Sequence, residues 1–234
     1  DTFPPLRTSG AVQLRDLTRE FAAQGHAPTV IVPSSDLHVP WKIESVNGAT
    51  VLRCRTPGTK DIGYVRRTIN EMCLPYLLLR ALRASELSRA RWDGVVWYAP
   101  SIFLGPIVRV LRRENRCRSY LILRDIFPEW AVDMGLMRRG SAYRFFKLVE
   151  RYQYSVADAI GVQTMANLPY MSEWAKQPGR RLEVLQNWLS DAPDTGCCVR
   201  IVESKLAGRK IFVYAGNMGV AQGMDVFIDL AARM

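Results

Sequence analysis

Short apolar runs, many of them β-branched, alternate along the chain with longer segments whose apolar residues recur at helical spacing. The first such segment opens at Ser9-Gly10, carries Leu14, Leu17 and Phe21 on one face and stops at Gly25, which predicts a helix. Thr29–Val32 then reads as a strand, Ala49–Arg55 as another, and residues 63–88 as a long basic helix interrupted near Pro75. Strands follow at Gly94–Tyr98, Ser119–Leu123 and Ala159–Gln163, with helices at 102–114, 142–156 and 166–176, and Leu182–Gln186 closes the series as a strand. Short apolar, β-branched runs between helices signal a parallel sheet covered on both faces, an α/β Rossmann-like domain. In such a domain ligands sit beyond the carboxyl ends of the strands.

Residues 189–208 break the rhythm with a turn-rich segment, Ser190-Asp191-Ala192-Pro193-Asp194-Thr195-Gly196, and a short charged stretch. The pattern restarts with a strand at Lys210–Tyr214, a glycine turn over 215–219 and a helix from Gly223 to Met234. One strand and one helix cannot bury a core of their own, so this second domain is expected to be truncated. The division expected is therefore a first domain over 1–190, a linker over 191–208 and the start of a second domain over 209–234. The opening helix and strand form the second half of a strand–helix–strand unit, whose first strand is expected to precede Asp1.

Composition changes this picture in two respects. The formal charge of +10 implies an anionic partner, whether nucleic acid, an anionic membrane or a phosphorylated small molecule, unless it is only a solvated basic surface. The five cysteines are odd in number and irregularly spaced, and the chain has two histidines, which argues against a disulfide framework or a zinc site. A reducing, cytoplasmic setting fits. No apolar run is long enough to span a bilayer, so any membrane contact is expected to be peripheral.

Four places carry candidate chemistry. The loop Pro4–Ser9 feeds Gly10 at a helix N-terminus, where free amides and the helix dipole favour a phosphate; the alternative is a plain capped helix with Ser9 as N-cap. Leu123-Arg124-Asp125-Ile126-Phe127-Pro128-Glu129-Trp130 lies just past a buried strand. There Asp125 and Glu129 could orient a sugar hydroxyl or act as a base, or Asp125 could simply pair with Arg124. Between the predicted strand at 210–214 and the last helix, Gly216, Asn217, Gly219 and Gln222 form a turn through which backbone can approach a diphosphate, although any tight strand–helix connection can use such glycines. The segment from Tyr64 to Arg83 mixes large apolar side chains with Arg66, Arg67, Arg80 and Arg83, and Glu71 is its only acid. That combination suits an anionic membrane interface or a sheet-covering helix with a basic outer face.

Together these segments resemble the family-4 retaining glycosyltransferases, enzymes of two Rossmann-like domains (the GT-B fold), and in particular the bacterial enzymes that build lipopolysaccharide O-antigen or capsule units. The resemblance rests on the opening F-P-P-x-x-x-x-G-A, on Leu123–Glu129, on Leu185-Gln186-Asn187-Trp188, and on Tyr214–Gly219 with Gln222-Gly223. It implies a UDP-activated donor, an N-acetylated amino sugar by the form of the Leu123–Glu129 segment, held mainly by the second domain. It further implies a lipid-linked or lipopolysaccharide acceptor on the first domain, transfer with retention, no metal or other cofactor, and peripheral attachment at the cytoplasmic membrane.

By the same resemblance Gly10 faces the donor phosphates, Asp125 positions the acceptor hydroxyl or stabilises charge on the sugar, and Asn217, Gly219 and Gln222 line the diphosphate site. Many family members carry Arg and Lys near the positions of Asn217 and Gln222, where this chain has neutral amides. The family's paired donor-contacting glutamates are expected beyond Met234, so the chain alone is expected not to turn over. Two other classes stand beside the enzyme: a non-catalytic basic module docking on anionic lipid, and a nucleic-acid binder. The spread of the basic residues and the lack of a nucleic-acid module disfavour the second.

Overall fold

A computed structural model describes residues 3–191, 196, 200–216 and 223–233. The chain divides into two units, Asp1–Ser190 and Asp191–Met234. In the first unit, α1 (Ser9–Ala23) leads into β1 (Thr29–Ser34), β2 (Trp41–Val46) and β3 (Ala49–Arg55), which form a three-stranded sheet in the order β1-β3-β2. Four further strands, β4 (Gly94–Ala99), β5 (Arg118–Leu123), β6 (Ala159–Val162) and β7 (Arg181–Val184), form a second sheet in chain order, every pair parallel. The helices between them are α2 (Tyr64–Ala84), α3 (Gly105–Asn115), α4 (Glu129–Asp133), α5 (Ser141–Ser155) and α6 (Ser172–Ala175).

The α/β reading of the sequence holds, with one strand unanticipated. β2 pairs antiparallel with β3 from Trp41↔Cys54 to Val46↔Ala49, joined by Asn47-Gly48 at φ 51° and 82°. Asn-Gly with both residues at positive φ is a primed hairpin turn, whose twist matches that of the strands it joins. This signal stood in the sequence without being read as a hairpin. The first sheet is therefore mixed, since β1 pairs with β3 in parallel.

One core cluster joins the two sheets. Leu52 and Cys54 of β3 pack with Trp97 and Ala99 of β4, Leu121 and Leu123 of β5, and Ile160 and Val162 of β6, covered by Leu78, Ala81 and Leu82 of α2 and Ile107, Val108 and Leu111 of α3. Leu52, Leu121 and Ile160 are each 0% exposed, and full burial of such a side chain stabilises by about 1.5–3 kcal/mol. α2 runs unbroken through Pro75, where an interruption was expected. Pro75 lies buried between Leu74 and Leu78, and packing there offsets the single backbone hydrogen bond that a proline removes. The segment expected as a helix over 166–176 instead forms a 3₁₀ turn at Met165–Met171 before α6; Pro169 has no N–H to give to a continuous α-helix.

In the second unit, α7 (Asp225–Arg233) forms as expected, but residues 210–214 make no strand. A strand exists by pairing, and no other strand lies among the described residues of that unit. Val226, Phe227, Ile228 and Leu230 on α7 are exposed, and no sheet lies among the described residues of that unit to cover them.

Strand β6 carries one residue whose size is fixed by its neighbour. A Cβ on Gly161 would stand 2.2 Å from the Tyr120 hydroxyl and 2.8 Å from Cβ of Leu185, and that hydroxyl is held by Glu183 Oε1 at 2.8 Å. Gly161→Ala is expected to cost about 1–3 kcal/mol through overpacking, read as a lowered Tm. The same substitution in a Tyr120→Phe background should cost less, because the clashing hydroxyl is gone.

Candidate functional site

The parallel strands β4–β7 all end on the same side, and the residues that follow them meet there. α1 begins at this level. Its N-cap is Thr8, whose Oγ1 accepts from the Ala11 amide at 3.4 Å; the cap expected at Ser9 lies one residue earlier because Thr8 holds the extended conformation, φ −68° and ψ 156°, that a cap needs. The amides of Ser9 and Gly10 precede the first helical hydrogen bond, Val12 N to Thr8 O at 3.0 Å, and are the donors that a helix leaves free for an anion. Ser9 is exposed, while Gly10 is buried. A Cβ on Gly10 would lie 3.3 Å from both Cε1 and the hydroxyl of Tyr98, so glycine is what lets the helix start close over that ring.

Tyr98 joins this helix start to the Arg124-Asp125 pair. Burial raises its phenol pKa, Arg124 beside it pulls the other way, and the Asp125 charge adds to the rise. Arg124 does not pair with Asp125. Its guanidinium donates to Leu185 O at 2.5 Å and lies over the Trp188 ring at 5.1 Å. Burial lowers its pKa against the opposing effect of the two neighbouring tyrosines, Tyr98 and Tyr120. Among the described residues Asp125 has no partner cation, and it still faces solvent. Desolvation by the protein around its carboxyl raises its pKa above the usual aspartate value, the direction that equips a carboxylate to take a proton. The tail after β7 closes the floor of the site. Trp188 Nε1 donates to Gln13 O at 3.0 Å, and the Ser190 amide donates to Asp16 Oδ2 at 3.2 Å.

Glu129, the second candidate, is engaged elsewhere. Its Oε1 accepts from Lys147 Nζ at 2.5 Å and from the Tyr143 hydroxyl at 3.1 Å, and the same ammonium lies 2.7 Å from Glu150 Oε2. Tyr143 and Lys147 sit one helical turn apart on α5, so both reach the start of α4 from one face. The Glu150 side chain is 1% exposed; burial raises its pKa against the pull of Lys147. Burial, with Glu150 nearby, also pushes the Tyr154 phenol far above its ordinary value. Of the two carboxylates expected to act together, Asp125 makes no ion pair among the described residues and Glu129 is an anchor between α4 and α5.

The four arginines of α2 are all exposed. Arg67 Nε donates to Glu71 at 2.8 Å, and Glu71 also accepts from Ser101 just past β4; Arg83 pairs with Glu114 at 2.7 Å. Arg66 and Arg80 make no ion pair among the described residues. Val65, Ile69, Met72 and Tyr76, at spacings of one helical turn, are 76%, 55%, 49% and 67% exposed, so α2 carries an uncovered apolar stripe among its arginines. Among the described residues no helix is long and apolar enough to cross a membrane. In the second unit Gly216 is exposed; Asn217, Gly219 and Gln222 lie outside the described residues. No group of three or more His, Cys, Asp or Glu side chains able to hold a metal ion occurs among the described residues. Sequence reasoning missed Tyr98 and the Tyr143–Lys147 hold on Glu129. The signal for Tyr98 was an aromatic near the carboxyl end of an apolar strand.

No protein-family model matches the chain. It is 22% identical over 252 residues to the putative colanic acid biosynthesis glycosyl transferase WcaI of Escherichia coli (strain K12), an alignment covering 94% of this chain and 58% of that protein. It is 30% identical over 151 residues to the probable glycosyltransferase WbjE of Pseudomonas aeruginosa, covering 59% of this chain and 36% of that one. The chain thus spans little more than half the length of the first relative and about a third of the second. Among solved structures, Arabidopsis thaliana UGT89C1 complexed with UDP-L-rhamnose aligns with a TM-score of 0.48 at 18% identity, over 80% of this chain and 48% of that one.

Lys147 holds two carboxylates, one of them buried, so Lys147→Met should destabilise by about 3 kcal/mol at neutral pH. Without the ammonium, the Glu150 pKa rises further, and the folded state then binds a proton that the unfolded state has released. Stability from such a raised carboxyl is present below its unfolded pKa and lost as pH rises through the folded one. Denaturant titrations of variant and wild type should therefore converge as pH falls toward the ordinary glutamate range and diverge toward neutrality.

Proposed function

We propose that the chain is the acceptor-side part of a bacterial glycosyltransferase that moves an N-acetylated amino sugar, with retention, from UDP to a lipid-linked or lipopolysaccharide acceptor in surface-polysaccharide synthesis. The observation that carries this reading is the convergence of the α1 N-terminus and Asp125 on Tyr98, at the carboxyl ends of the parallel strands. That is where an open α/β sheet takes its ligand, and two curated relatives are named as glycosyltransferases.

In this reading the free amides of Ser9 and Gly10 face the donor phosphates, and Asp125 orients the acceptor hydroxyl and accepts its proton. Glu129 acts only through its pair with Lys147, holding the short helix α4 that follows Asp125. Gly216, Asn217, Gly219 and Gln222 contribute the diphosphate site of the second domain. Following the family resemblance, the reaction uses no metal. The Val65–Tyr76 stripe with Arg66, Arg80 and Arg83 lies against the anionic inner face of the cytoplasmic membrane, where a lipid-linked acceptor resides.

Turnover belongs, in this proposal, to a longer polypeptide that includes this chain. UDP release by that full-length protein, with a panel of UDP-amino sugars and a crude lipid-linked acceptor, is expected to be acceptor-dependent. Asp125→Ala is expected to lower it by about a hundredfold or more, the scale of a lost general base. Release unchanged in Asp125→Ala would remove that residue from the chemistry. No release and no UDP binding with any donor, together with salt-sensitive retention on anionic vesicles, would replace the enzyme with a lipid-docking module.

A further inference from the structure

At the opposite end of the four-stranded sheet, below the last turn of α3 and at the amino ends of β5 and β6, lies a cavity of about 640 Å³. Arg109, Arg112, Arg113, Arg116 and Arg118 line it, with Asp158 as its only acid. That acid is already spent. Asp158 is ion-paired to Arg112 and accepts from the Ser119 amide at 2.9 Å and the Ser119 hydroxyl at 3.0 Å. The other four guanidinium groups make no ion pair or side-chain hydrogen bond among the described residues, and all four are exposed. Four uncompensated cations therefore surround one concavity.

Helix electrostatics explains only part of this. Arg112 and Arg113 lie in the last turn of α3, where a cation complements the helix dipole. Arg109 lies a turn earlier, and Arg118 opens a strand. Arg116 caps the helix at φ 53°, a left-handed position that glycine or asparagine fills at lower cost. An arginine held there against backbone preference points to a use for its side chain. Guanidinium forks match phosphate oxygens bidentately, and the cavity falls within the ~300–1,000 Å³ range of small-molecule sites, with room for more than one phosphate.

We propose that this arginine-lined cavity binds an anion carrying two or more phosphate groups, at a site separate from the one around Asp125. The whole length of β5 lies between them. The inference is independent of the glycosyltransferase reading. Its ligand is either a soluble oligophosphate or a lipid headgroup bearing more than one phosphate.

Calorimetric titration of the protein with sodium pyrophosphate tests it, beside vesicles of phosphatidylcholine containing cardiolipin. Wild type is expected to bind pyrophosphate, and Arg113→Gln and Arg116→Gly are each expected to weaken binding about tenfold, the scale of one charge-assisted contact. Glycine suits the backbone at position 116, so that variant should keep or raise its Tm, and a loss of binding there is not a loss of fold. Arg19→Gln, which removes an equally exposed charge on α1, should bind as wild type does. No binding by wild type, unchanged binding in the double variant Arg113→Gln/Arg116→Gly, or an equal loss in Arg19→Gln would each overturn the proposal. Given pyrophosphate binding, displacement of bound pyrophosphate by the cardiolipin vesicles but not by phosphatidylcholine alone identifies a headgroup, and no displacement identifies a soluble anion.

Discussion

The guanidinium of Arg124 holds together the end of the sheet on which the candidate site is built. From the end of β5 it reaches the carbonyl of Leu185 beyond β7 at 2.5 Å, lies over the Trp188 ring at 5.1 Å and sits beside Tyr98 of β4. One cation thereby fixes the segments leaving three strands relative to one another. Trp188 in turn donates to Gln13, and the Ser190 amide to Asp16, so α1 is tied to the same tail. Arginine suits this role because its planar fork donates along several fixed directions at once. With Arg124 spent on carbonyls and rings, Asp125 faces solvent with no ion pair among the described residues, which is what the proposed role asks of it.

The two ends of the four-stranded sheet divide the chemistry of the molecule. At the carboxyl end stand free amides, a tyrosine and an unpaired aspartate, a set suited to orienting a polar substrate and moving a proton. At the amino end stand five arginines and one satisfied aspartate, a set suited only to holding negative charge. The formal charge of +10 is thus not spread evenly: part lies on α2 beside an apolar stripe, and part is concentrated around one cavity. A parallel sheet allows this separation because all its strand ends of one kind lie on one side.

Much of the scaffold was legible because burial imposes periodicity. The strands at 94, 118 and 159 are mainly apolar and pack into the core, and the predicted bounds of each differ from the observed ones by one residue at one end. What escaped depended on local chemistry rather than period. β2 carries Lys42 and Glu44 among its apolar residues and so lacks a buried strand's signature, although Asn47-Gly48 announced its turn. Residues 210–214 have a strand's composition, but no other strand lies among the described residues of their unit. At the candidate site, the sequence put forward Gly10 and Asp125, which the fold brings to Tyr98, but spacing could not show which carboxylate is ion-paired. Glu129 looked equivalent to Asp125 in sequence and differs because Tyr143 and Lys147, contributed by a later helix, reach it in space. Tyr98 went unread because it sits within an apolar strand, and its place beside Gly10 depends on how α1 packs over β4.

The central claim is that the start of α1 and the carboxyl end of β5 form one ligand site. Hydrogen–deuterium exchange of the full-length protein with and without UDP tests it, because the Ser9 and Gly10 amides precede the first helical hydrogen bond and lack the protection that such a bond gives until a ligand accepts from them. The account predicts slowed exchange at residues 9–12 and around 124–126 when UDP is present. Exchange unchanged at both segments, with protection elsewhere in the protein, would contradict it.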